Sequence, residues 1–145
     1  MYYDNESQHR SFIKAATHHL SDEQLGALWN GVGSSYPLLR WADDLIPKKY
    51  KRCMLNASKY HDVAYYLGGT EAHRKVADEL FYRVTLDSMC LRLLPEELKY
   101  AKMWDNLAYY VLRFGAQASF DYRDKPLTIA ELKALADKKI EEANK

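Results

Sequence analysis

A chain of 145 residues with 48% apolar and 28% charged side chains fits one domain, residues 1–145, around one core, and its composition is that of an ordinary soluble globular protein. The 21 basic and 20 acidic residues leave no charge excess that would argue for a nucleic-acid partner. No apolar stretch approaches the roughly 20 residues of a membrane span, the first ten residues lack a basic-then-apolar signal layout, and Cys53 and Cys90 are too few for a disulfide scaffold; a cytoplasmic protein, or one exported without a signal peptide, is expected.

No repeat, low-complexity tract or long linker interrupts the chain, and the pattern is helical nearly throughout. Residues 8–19 read as a first short helix with Phe12, Ile13, Ala16 and His19 on one side. Ser21-Asp-Glu-Gln24 is a capping box that opens a second helix through Leu25, Leu28 and Trp29, ended by Asn30-Gly31-Val32-Gly33. Residues 34–50, with Pro37 and Pro47, read as irregular. A helix from about Arg52 to Leu67 stops at Gly68-Gly69, and the next runs from about Glu71 to Leu94 with Val76, Leu80, Val84 and Leu91 at near-helical spacing. Pro95 suits the first turn of a further helix through Met103, Leu107, Tyr110 and Val111, with Gly115 as its C-terminal cap. Ser119–Lys125 reads as a strand or a loop, and Thr128-Ile-Ala-Glu131 is a second capping box opening a helix to about residue 142. The expected fold class is mostly α.

The chemistry concentrates between Cys53 and Asp78. If the two helices flanking Gly68-Gly69 form an antiparallel hairpin, residues equidistant from the turn share a level, which pairs His61 with Asp78 and Tyr65 with Arg74. At 1.5 Å per residue the His61 level lies roughly 10–13 Å from the turn, and packed helix axes about 8–10 Å apart let an imidazole and a carboxylate meet. Tyr65, one turn after His61 on the same face, can also reach Asp78. A carboxylate so placed fixes the imidazole tautomer and stabilises the imidazolium formed when the other nitrogen takes a proton, so such a His can activate water. Asp62, rotated by roughly 100° from His61, offers a second carboxylate beside it. Hard Ca²⁺ takes carboxylate and backbone oxygens, and Gly31-Val32-Gly33 could supply the latter.

His61-Asp62-x-x-Tyr65, followed by Gly68-Gly69 and then Arg74-x-x-Ala77-Asp78-x-x-Phe81, resembles the phospholipase A2 superfamily, particularly its compact bacterial and viral branches. The resemblance implies a phospholipase A2-like fold, with a central antiparallel helical hairpin and additional packed helices. It implies His61 as general base, Asp78 as its supporting carboxylate, Tyr65 as the tyrosine bonded to that carboxylate, and Asp62 with the Gly31 and Gly33 loop as the Ca²⁺ site. The implied reaction is hydrolysis of the sn-2 ester at a phospholipid or membrane surface, with Ca²⁺ and loop amides stabilising the oxyanion. Ala57 and Ser58 stand where extracellular members carry cysteines, and the stretch from Gly33 to Asp62 exceeds the family's usual loop-to-helix spacing.

Two other functions fit. One is a non-catalytic phospholipase A2-fold binding or structural protein, phage-related or an interaction module. The other is a metal-dependent phosphohydrolase using His18 or His19 with His61-Asp62 and Asp121. Other features have plainer readings. Pro47–Arg52 is a solvated basic stretch or a contact for anionic headgroups. Tyr36, Leu38, Leu39 and Trp41 are core or an interfacial lip. Tyr109 and Tyr110 form an aromatic core face or a second hydroxyl on Asp78. Cys53 and Cys90 are core thiols or a bridge across the hairpin. His18, His19 and His73 have no evident partners in the sequence.

Overall fold

A computed structural model describes residues 2–29 and 44–145. These residues are mostly helical and include no strand; the only β pairing among them is an isolated bridge between Gly69 and Tyr122. The helices are α1 (Tyr2–His19), α2 (Asp22–Leu28), α3 (Lys48–Cys53), α4 (Leu55–Leu67), α5 (Glu71–Arg92), α6 (Pro95–Gly115) and α7 (Ile129–Ala143), with a 3-10 turn at Gln117–Ser119. None of them is long and apolar enough to cross a membrane.

Local chemistry sets most of the boundaries. The Ser21 hydroxyl accepts from the Gln24 amide at 3.1 Å while Gln24 accepts from the Ser21 amide at 2.9 Å, and Thr128 and Glu131 do the same for α7 at 3.1 and 3.0 Å. Helix α1 starts at Tyr2 rather than near residue 8, because no Gly or Pro between them stops it. Its buried residues are His9, Ile13, Ala16 and Thr17, with Leu20 buried just beyond its end, while His19 is exposed. Pro47 does not prolong an irregular stretch to residue 50; it stands just ahead of α3, where its missing N–H is no loss. A break at Met54 separates α3 from α4, so the helix expected from Arg52 begins at Leu55. Gly115 is the last residue of α6 and not its cap; Ala116 takes that place, and positive φ among the described residues is confined to Gly68 and Gly69.

That glycine pair turns α4 back along α5. Gly68 has φ +70° and Gly69 φ +126°. The chain after α6 is laid over them: the Gly69 amide donates to Asp121 O at 3.2 Å, Arg123 to Gly69 O at 2.9 Å, Asp121 to Tyr65 O at 3.2 Å and Leu127 to Leu67 O at 2.8 Å. Ser119–Lys125 is thus a loop pinned by its backbone. A Cβ on Gly68 would stand 2.0 Å from the Asp121 carbonyl oxygen. Gly68→Ala therefore combines a left-handed backbone penalty with a backbone clash, and a loss of about 2–3 kcal/mol is expected in urea unfolding.

The buried cluster runs from Ile13 of α1 and Leu28 of α2 through Met54, Val63 and Leu67 to Val76, Leu80 and Met89 of α5. Ala101, Ala108 and Leu112 of α6 close it on one side and Leu132 and Ala136 of α7 on another. Helix α5 packs along both α4 and α6, so one helix carries side chains to two neighbours. Leu91, Met103, Leu107 and Tyr110, which the periodicity counts as an apolar pattern, lie on the outside. Helix α6 has a second apolar stripe facing the core, and periodicity cannot say which of two stripes is buried. Cys53 is a buried free thiol and Cys90 an exposed one, so no bridge joins them.

Candidate active site

His61 and Asp78 meet where the hairpin register puts them. His61 Nε2 stands 2.7 Å from Asp78 Oδ1, and the Tyr65 hydroxyl donates to the same oxygen at 2.7 Å. Asp78 is fully buried and His61 is 7% exposed. The imidazole is wedged between the Tyr65 ring, 4.1 Å away between centroids, and the edge-on Phe81 ring at 5.7 Å. Phe120, carried over the turn by the loop, stands edge-on to Tyr65 at 5.1 Å. An ionised carboxylate can only accept, so His61 Nε2 carries the proton and Nδ1 of the neutral ring holds the lone pair. Among the described residues nothing bonds to Nδ1.

The other carboxylate oxygen belongs to two arginines. Arg113 Nη1 donates to Asp78 Oδ2 at 2.6 Å and Arg74 Nη1 at 3.3 Å. Arg74, 1% exposed, also reaches the Tyr65 hydroxyl at 3.4 Å and the carbonyls of Leu112 and Arg113, both at 3.1 Å. Glu71 completes the assembly, accepting from Arg74 Nη2 at 2.7 Å and Arg113 Nη2 at 2.9 Å, with the Tyr122 hydroxyl as a further donor. Two acids and two guanidiniums neutralise one another and tie α5, the end of α6 and the loop together. The i, i+4 relation of Arg74 to Asp78 is legible in the sequence. Glu71, three residues before Arg74 on the same helix, is equally so; Arg113 and Tyr122 are not, because they arrive from elements whose packing no local spacing encodes. In place of a hydroxyl from Tyr109 or Tyr110, the second group on Asp78 is Arg113; Tyr109 stands against Tyr82, and Tyr110 is exposed.

These contacts decide the charge states. Burial pushes the Asp78 carboxyl up, but bonds from His61, Tyr65 and Arg113 outweigh it and hold the group below its usual value. Bonds from Arg74, with Tyr122 and Arg113, hold Glu71 down at about 2. Burial, together with the Asp78 charge, pushes the Tyr65 phenol well up, so it remains a donor.

Asp62 follows His61 on α4 and is half-buried. Gly31 and Gly33 lie outside the described residues, as do Tyr36, Leu38, Leu39 and Trp41. Among the described residues no three His, Cys, Asp or Glu side chains gather closely enough to hold a metal ion. The phosphohydrolase set does not assemble either: His18 Nε2 is 3.2 Å from the Tyr60 hydroxyl, Asp121 pairs with Arg123 at 3.3 Å, and His61 is committed to Asp78. Comparison with protein-family models, curated proteins and solved structures finds no match to this chain.

Three further buried polar residues, Asp105, Thr85 and His9, have no signature in the sequence. Asp105 of α6 is fully buried, both its oxygens lack a partner among the described residues, and the same holds for the Thr85 hydroxyl of α5. Burial pushes the Asp105 carboxyl up to about 8. On the other side of α5, His9 of α1 stands edge-on to His73, 4.5 Å between centroids, while His73 Nδ1 accepts from the Thr70 amide at 2.9 Å. So His73 does have a role, as a helix cap. Burial, with His73 alongside, pushes His9 down to about 4.

Proposed function

We propose that the chain is a phospholipase A2-like ester hydrolase in which His61 activates water. The observation that carries this is the pairing of His61 Nε2 with a buried carboxylate that also accepts from Tyr65, which leaves Nδ1 as the basic nitrogen. Nδ1 takes a proton from a water as that water attacks the ester carbonyl; Asp78 stabilises the imidazolium, which then gives its proton to the departing alcohol oxygen. The substrate class, a phospholipid cleaved at the sn-2 ester at a membrane surface, rests on the resemblance of His61-Asp62-x-x-Tyr65 and Ala77-Asp78 to that superfamily. Calcium, which Asp62 with Gly31 and Gly33 would hold, belongs to the same proposal. The test is fatty-acid release from mixed phospholipid vesicles, in Ca²⁺ or in EDTA. Release should fall at least a hundredfold in His61→Ala and disappear in EDTA; persistence in EDTA would remove calcium from the reading.

One observation favours a second reading, a helical binding or structural module of the same hairpin. Arg74 and Arg113 compensate the Asp78 charge, and a compensated carboxylate stabilises an imidazolium less. The cluster would then clamp helices together. A folded wild-type protein that releases no fatty acid under any condition would decide for this reading.

A further inference from the structure

The outward face of α6 carries an apolar stripe from Tyr100 to Phe114. Tyr100 is 57% exposed, Met103 62%, Leu107 36%, Tyr110 58% and Phe114 81%. They follow one another in alternating steps of three and four residues, the spacing of a coiled-coil seam. The core-facing stripe of the same helix, Ala101, Asp105, Ala108 and Leu112, is separate from it. Beyond Lys102 the exposed positions of α6 carry no charge, since Arg113 is turned inward onto Asp78 and Glu71. Tyr110 and Phe114 stack on each other at 6.3 Å and 14°, so part of the seam is already ordered.

We propose that this face binds the same face of a second copy, the two α6 helices running antiparallel about a two-fold axis at Leu107. Three arguments select that occupant. The exposed stripe amounts to roughly 600 Å², the upper end of what a monomer tolerates, and with its rim it approaches the ~800 Å² each partner brings to a standard interface. Its composition, aromatics and Met without charge, is that of an interface centre. The pattern and its flanking charges also favour this direction. Residues equidistant from Leu107 face each other, so Tyr100 meets the partner's Phe114, and Met103 falls within one residue of level with the partner's Tyr110, an aromatic pair and a sulfur–aromatic pair. Lys99, about 12 Å along the axis from Leu107, then lies beside the C-terminal end of the partner helix, where a cation is favoured. A parallel pair would instead set Lys99 and Lys102 against their own copies.

The experiment is sedimentation velocity from about 1 to 100 µM, a range wide enough to bracket a micromolar Kd, for the wild type, Leu107→Glu and Tyr110→Lys. The expected result is a wild-type dimer, with more than tenfold weaker association in both variants and unchanged circular dichroism. Orientation is read in a Cys90→Ser background, which removes the exposed native thiol. Leu107→Cys should form an intermolecular disulfide and Met103→Cys should not, because antiparallel packing separates the two copies of residue 103 by about 12 Å. A monomer throughout the range, including one that docks on phospholipid vesicles through this face, overturns the proposal. So does a dimer indifferent to both substitutions, or cross-linking at both positions.

Discussion

Arg74→Met is expected to destabilise the protein by about 3–5 kcal/mol, the cost of breaking a buried ion pair from one side. Arg74 is 1% exposed, and its guanidinium satisfies Glu71, Asp78, Tyr65 and two α6 carbonyls together. Methionine fills much of the volume and supplies none of the donors. Asp78 then keeps His61, Tyr65 and Arg113, but the Leu112 and Arg113 carbonyls lose their Arg74 donor at the end of α6. Arg74→Lys should recover only part of the loss, since a single ammonium cannot reproduce the fork. Urea unfolding at neutral pH measures both. A loss below about 1 kcal/mol for Arg74→Met would mean that the network contributes no more than surface ion pairs do.

The stability of the wild type should fall as pH rises from about 6.5 to 8, and Asp105→Asn should abolish that fall. Asp105 is held protonated in the fold up to about 8 but ionises near 3.8 once unfolded. Between those values the folded state binds more protons, so stability declines with rising pH and levels off above about 8. His9 acts in the opposite sense. Its folded value of about 4 lies below its ordinary 6.5, so the unfolded state binds more protons between them and stability rises with pH across that window. The Asp105 slope opposes that of His9, and of His73 which burial lowers likewise, below about 6.5, and it is the Asp105 slope that extends above it. At about 1.4 kcal/mol per pH unit, the wild type loses a few tenths to about 2 kcal/mol over that upper range. Asp105→Asn keeps the shape without the ionisation, so it should exceed the wild type at pH 8 and lose that advantage by pH 5. Parallel urea titrations at the two values read the difference directly; wild type and variant with the same profile would show Asp105 to be hydrated or paired in solution.

The two effects concern different parts of α5 and its neighbours. Arg74 is satisfied by every group it touches and stabilises by being so, whereas Asp105 carries a desolvation cost that no partner among the described residues offsets. A protein that retains a buried unpartnered acid can be made more stable by removing it. The expected gain in Asp105→Asn and the expected loss in Arg74→Met are therefore two sides of one rule about buried charge.

Features that depend on neighbours along the chain can be read without the fold. Capping residues Ser21, Gln24, Thr128 and Glu131 mark two helix starts, because the groups that satisfy each other lie three residues apart. Gly68-Gly69 marks the turn, because only glycine takes both of its backbone conformations against the Asp121 carbonyl and His73. Given that turn, helix rise alone sets His61 level with Asp78 and Tyr65 level with Arg74. The tertiary structure alone decided which stripe of α6 faces the core, since Leu107 and Leu112 are equally apolar and only packing distinguishes them. It also brought Arg113 and Tyr122 to the Glu71–Asp78 cluster and left Asp105 without a partner among the described residues, because contacts between helices distant in sequence depend on how whole faces dock, which no local spacing records.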